Sequence, residues 1–178
     1  MSINVRAFDG FSFDEAIEIF NSAKNYLRKS DLANFLINEI ERIDEVLTIN
    51  VRKTLVDEWR WPEKDDVNSA GEIDWNITTE LNVIDYRDRR PDVDWVSRVD
   101  DDAIARMSIA LILMHEIGHA CQYMTSKTEF REHIRTLDND VCLMIENINV
   151  NAIENTVALE LISGGSIEGI RWDYRDTQ

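Results

Sequence analysis

The chain predicts an α+β fold, mainly helical, with a small β-sheet packed on one buried helix. Three observations carry that expectation. Two amphipathic helices with cap signals open the chain, alternating β-branched runs occupy its middle, and two long apolar helical stretches fill its C-terminal half. No internal repeat, low-complexity tract or interdomain linker interrupts residues 1–178, so one domain is expected.

Ser12 followed by Glu15 is a capping box, and it opens a helix reaching about Arg28 with Phe13, Ala16, Ile17, Phe20 and Ala23 on one side. Ser30-Asp31 caps a second helix whose apolar stripe is Leu32, Phe35, Leu36, Ile40 and Ile43. Val46 to Val51 alternates and is β-branched, which predicts a strand. Residues 62–72 carry Pro62, Asn68 and Gly71 and read as a loop. Residues 73–84 read as a second strand region, because Ile73, Trp75 and Ile77 alternate with polar residues; 87–92 read as a charged connection. Asp100, Asp101 and Asp102 supply an N-cap and an acidic first turn for a helix running to about Met124. After a polar stretch at 125–140, a last helix runs from about Asp140 to Leu161 and stops at Ser163-Gly164-Gly165.

A length of 178 residues with 44% hydrophobic content suits one core. No apolar run approaches the roughly 20 residues needed to span a bilayer, and residues 1–6 show no charged segment leading into an apolar one. A cytoplasmic location is therefore expected, or secretion without a cleavable signal peptide. Asp and Glu number 35 against 19 Lys and Arg, a net charge of −16. That field repels nucleic-acid phosphates and acidic membranes, so neither is an expected partner, and it attracts basic ones. Cys121 and Cys142 read as packing residues on helices, two lone thiols suited to a reducing compartment. The five tryptophans (59, 61, 75, 95 and 172) read as core or cleft wall.

The chemistry concentrates in His115-Glu116-Ile117-Gly118-His119, which holds two of the three histidines. Residues four apart share a helix face, so both imidazoles can meet at one point and form half of a tetrahedral zinc site. Glu116, beside the first ligand, can reach a metal-activated water as general base. Gly118 lowers helix stability by roughly a kcal/mol against Ala, which makes sense if another segment passes close to that turn. A buried amphipathic helix spelling the motif by coincidence would have to satisfy three polar side chains in an apolar setting.

Catalytic zinc takes a third protein ligand. His133 sits among charged neighbours and reads as surface; Gln122 and Thr125 stand where a metzincin would carry Gly and His. At about 100° per residue, Leu143, Val150, Val157, Ala158 and Leu161 all fall within about 60° of Glu154, a carboxylate in an apolar stripe. Glu154 is the preferred ligand. Glu146, about 80° round the same helix, is the alternative. Asn147, Asn151 and Asn155 form a neighbouring stripe suited to outer hydrogen bonds, and an ion pair between Glu154 and Arg171 is the competing structural arrangement.

The order of elements and the His-Glu-x-x-His helix resemble the zincin metallopeptidases. Leu113 to Ala120, the pair Glu154-Asn155, Gly164-Gly165 and Arg171-Trp172-Asp173-Tyr174 are more narrowly similar to the bacterial effector zinc metallopeptidases, across residues 111–174. Ala158 departs from that pattern, which has an arginine there. The resemblance implies a zincin-like fold, a bound Zn2+, and an injected or toxin-like zinc endopeptidase acting on host proteins. Within that reading His115, His119 and Glu154 hold the metal, and Glu116 serves as base. Arg171 and Tyr174, following the last helix, are candidate donors to the oxyanion. Two other functions compete: an acidic binding or inhibitor protein that mimics nucleic acid, and a zincin-like scaffold that holds metal without turnover.

Overall fold

The computed structural model describes residues 3–54, 57–63, 66–78, 80–84, 104–135 and 139–171. Its order is β1 (Ile3–Ala7), α1 (Phe13–Leu27), α2 (Asp31–Arg42), β2 (Val46–Arg52), β3 (Glu58–Arg60), β4 (Ser69–Asn76), β5 (Leu81–Ile84), β6 (Ile104–Met107), α3 (Ile109–Thr125), α4 (Lys127–Arg135), α5 (Asn139–Asn149), a π-turn (Val150–Glu154) and α6 (Asn155–Ser163). The α+β class is as expected. Both N-terminal helices begin where their cap signals stand: Ser12 and Glu15 form a reciprocal capping box, and the Ser30 hydroxyl accepts from Ala33 N.

A four-stranded sheet runs β1-β2-β4-β3. β1, β2 and β4 are parallel, and β3 lies antiparallel on the edge. A parallel β1–β2 pair needs a crossover, which α1 and α2 provide. Leu47, Ile49, Val51, Ile73 and Trp75 are fully buried in the core. The polar positions of the same strands gather Asp74 with Arg52 at 2.7 Å, Asn50 at 2.9 Å and Arg60. A register shift between Val46 and Leu47 puts an extra residue into β4, and Gly71 there has φ 104°. A side chain at 71 would run into the Trp59 indole and the Arg60 carbonyl, so the bulge and the glycine together seat Trp59.

α3 is the centre of the molecule. Every residue from Ala110 to Ala120 is buried, and the helix packs against the sheet, α1, α2, α4, α5 and the π-turn. A helix apolar on all sides is stable only when enclosed in this way. Its start differs from the expectation. Residues 104–107 pair with β5 as a strand, and Ser108 caps the helix through Leu111 N. Asp100 to Asp102 lie outside the described residues. Buried Glu168 reinforces the cap, accepting from Ser108 N at 2.9 Å and from the Tyr26 hydroxyl at 2.5 Å.

Other boundaries moved as well. Strand β4 begins at Ser69, inside the segment read as loop, and 73–84 divides between two sheets. β1, the short β3 and α4 carry signals too brief or too polar to have been recognised. The last helix stops as anticipated: Gly164 caps it, and Gly165, at φ 92°, donates to Ile162 O. Among the described residues no helix is long and apolar enough to cross a membrane.

Candidate metal centre

His115 and His119 project from one face of α3, with ring centroids 4.8 Å apart and planes at 87°. Their Nε2 atoms are 3.2 Å apart, and Glu146 from α5 brings Oε2 to 3.2 Å from His115 Nε2 and 3.0 Å from His119 Nε2. Zinc bonds of roughly 2.0–2.1 Å at tetrahedral angles separate neighbouring ligand atoms by roughly 3.3–3.4 Å. The three observed separations lie close to that edge length. These three residues are a group able to hold a metal ion among the described residues. Both imidazoles are buried and the Glu146 side chain is 28% exposed, so the shared point is reached from one side.

The motif glycine is explained by the same helix pairing. A Cβ at Gly118 would strike Asn149 Oδ1, and Asn149, fully buried, donates from Nδ2 to His115 O at 2.8 Å. The close approach brings α5 down onto α3 and seats Glu146 over the imidazoles.

On the other side of His115 the surroundings are dry. Glu154 Oε2 lies 2.9 Å from His115 Nδ1, and Arg171 grips the same carboxylate through Nε at 2.8 Å and Nη2 at 2.7 Å. Glu154 and Arg171 are 1% and 3% exposed. Burial acts to raise the Glu154 pKa, but the His115 and Arg171 bonds outweigh it and hold the carboxyl below its usual range. Burial likewise opposes charge on His115, yet Glu146 and Glu154 together hold its pKa up at about 9. Glu146, its own burial outweighed by His115 and His119, is held down to about 2.

Glu116 lies in a cavity of about 340 Å³ with His115, His119, Glu146, Asp57, Trp59, Trp61, Phe130 and Cys142 along its walls. Its Oε2 accepts from Trp59 N at 2.7 Å, so the edge strand β3 orients the carboxylate. Burial pushes its pKa up, against the pull of the two histidines. The Trp59 ring stacks on His119 at 6.3 Å and 22°, and meets Phe130 edge-on at 5.6 Å. Asp57 accepts from Asn76 N at 2.7 Å, and burial with the nearby Glu116 charge raises it to about 6.

Of the residues expected at the site, His115, His119 and Glu116 come together as the spacing implied. Glu154 does not join them at the Nε2 point; that place is taken by Glu146. The reason lies in the π-turn, where Asn155 N bonds to Val150 O. A turn closed by i→i+5 bonds advances each residue by less than the about 100° assumed for an α-helix. Glu146 and Glu154, eight residues apart, are therefore brought toward one face, and both reach His115, at opposite edges of its ring. Arg171 corrects likewise: it is buried behind His115, against Nδ1, and not over the cleft. Tyr174, Trp95 and Trp172 lie outside the described residues.

Asn147 and Asn151 bond along their own helix, Asn151 Nδ2 to Asn147 O at 2.8 Å, and line a shallow outer groove. The supporting amides are Asn149 and Asn155. Cys142, expected as packing, faces the cavity; Cys121 is half-buried and pushed up to about 12 by burial with Glu39 nearby. Asp57 carries no sequence signal for the site, whereas Trp59, read as core or cleft wall, lines the cavity. Comparisons with protein families, with curated proteins and with solved structures find no match to this chain.

Proposed function

We propose that this chain is a zinc-dependent metallopeptidase with His115, His119 and Glu146 as ligands and Glu116 as general base. What supports the reading above all is the meeting of three ligand atoms at 3.0–3.2 Å beside Glu116 in one cavity. Two imidazole nitrogens and a carboxylate oxygen are a donor set suited to zinc, with room for a fourth, exchangeable position. A bound zinc ion supplies Lewis acidity toward a peptide carbonyl and toward water.

The remaining chemistry belongs to the chain. His115 and His119 each turn Nε2 to the shared point, where a metal would take their lone pairs, and Glu146 brings a carboxylate oxygen to it. Trp59 N–H holds one oxygen of Glu116 and so orients the other. The raised affinity of Glu116 for a proton suits it to take one from the attacking water and deliver it to the leaving amine. Trp59, Trp61, Phe130 and Ile145 give apolar wall against which a peptide side chain can displace water. The net charge of −16 favours protein or peptide substrates rich in Lys or Arg. The sequence resemblance adds the expectation of an effector or toxin delivered to a host cell.

Metal content of protein purified without added zinc is the first test. Stoichiometric zinc is expected, and metal-free protein that takes up none on titration overturns the reading. Glu116→Gln should keep the zinc and lose peptide hydrolysis by roughly 10²–10⁴-fold; undiminished cleavage would remove Glu116 as the base. Zinc uptake by wild type without any cleavage across a peptide library would instead favour a silent scaffold.

A further inference from the structure

We infer that Glu154 and Arg171 are positioning residues that act on the metal centre through His115 Nδ1, so that the segment after α6 governs metal affinity without supplying a ligand. The inference rests on the metallopeptidase reading. An ionised carboxylate only accepts hydrogen bonds. With Glu154 Oε2 at 2.9 Å, a proton on His115 Nδ1 fills that contact, and the ring then meets a metal at the shared point through Nε2. The two ring nitrogens are thereby assigned opposite tasks.

Arg171 secures the arrangement. Its fork takes both Glu154 oxygens, fixing the carboxylate plane and hence the direction from which Nδ1 is approached. A buried ion pair by itself is a poor source of stability, because apolar residues of similar volume often do as well. Its placement against the imidazole supplies the missing reason, since metal-ligating histidines are oriented by a carboxylate on the far nitrogen. Arg171 is in turn set by its backbone. Asn155 Nδ2 donates to Arg171 O at 2.5 Å, Ile170 is buried, and Gly169 N donates to Arg106 O at 2.8 Å. Residues 169–171 are thus tied both to β6 and to the helix that follows Glu154, and the tie ends on the imidazole.

Three measurements on the full chain test this: zinc Kd by competition with a chromogenic chelator, thermal unfolding of the metal-free protein, and ¹⁵N spectra of the His115 ring. Glu154→Gln and Arg171→Met should each weaken zinc binding by roughly 10–100-fold, with Arg171→Lys recovering part of the loss. The wild-type ring should carry a proton on Nδ1 whose resonance moves in Glu154→Gln. A purely structural pair would lower the unfolding temperature of the variants and leave the zinc Kd of the folded fraction alone, which would overturn the inference. A bare Nδ1 in the unaltered protein would do the same even if the variants failed to fold. Wild type that takes up no zinc would defeat the metallopeptidase reading and this inference together. Zinc-binding wild type with unchanged variants would defeat this inference alone.

Discussion

Glu146 and Glu154 leave the same helical column and both end against His115, yet they meet opposite edges of its ring. At Nε2 the carboxylate is partly exposed, shares its oxygen with a second imidazole and looks into a cavity. At Nδ1 it is dry, clamped by an arginine and closed to solvent. Identical side chains stand in different settings because access and partner differ: a metal ion could enter only where ligand atoms converge on open space. A carboxylate already neutralised by a guanidinium is instead fitted to orient the ring. The sheet offers a third case. Asp74 is buried between Arg52 and Arg60, takes an Asn50 amide in place of an imidazole, and serves the packing of β2, β3 and β4.

Substitutions at these three places should separate the roles. The largest change is expected from Glu146→Gln, which keeps the shape and removes a ligand's charge. Zinc affinity should fall by more than the roughly 100-fold upper end for an outer partner, as measured by chelator competition. A loss no greater than that of Glu154→Gln would erase the distinction between the two edges. Gly118→Ala comes next. The added methyl meets Asn149 Oδ1, and overpacking of that kind costs about 1–3 kcal/mol, set against the roughly 1 kcal/mol that Ala regains in the helix. Because Glu146 rides on the displaced helix, calorimetry and zinc titration should both register the change; a variant normal in both would show that the approach of the two helices does not set the site.

The smallest effect on the centre is expected at Asp74. Burial acts to raise its pKa, but Arg60, Arg52 and Asn50 more than offset this, so its folded value is depressed. A depressed carboxylate contributes stability above its unfolded value of about 3.9 and loses it as pH falls through the lower folded value. Asp74→Asn should therefore flatten the acid limb of a stability–pH curve below about pH 4 and leave zinc Kd unaltered. An altered Kd would couple the far side of the sheet to the imidazoles.

Local signals were legible wherever one short stretch carried the whole cause. Capping at Ser12 and Ser30 needs only a side chain and the next turn, and the stop at Gly164-Gly165 only a left-handed glycine. The pairing of His115 with His119 needs only helical pitch. The start of α3 differs from the expectation because the choice between helix and strand at 104–107 is made by pairing with β5. β3, three residues long, exists because β4 and the Trp59 contacts hold it. The preference for Glu154 over Glu146 at the shared point fails for a related reason. The π-turn has no composition of its own, and an angular count carried across Val150–Glu154 at constant pitch sets Glu146 about 80° from Glu154, where the smaller advance brings both toward His115.

By itself, then, the amino-acid order determined a mixed fold, a buried helix bearing two imidazoles and a neighbouring carboxylate, and two acidic candidates on the last helix to join them. Local sterics, pitch and hydrophobic spacing act over a few residues, and they suffice for that much. Which acid faces the shared point, which one stands behind the ring, and where Arg171 finishes were decided only when α5 settled onto Gly118 and the segment after α6 docked. Those outcomes depend on contacts between residues far apart in the chain, and on a change of helical pitch that becomes favourable only in the packed molecule.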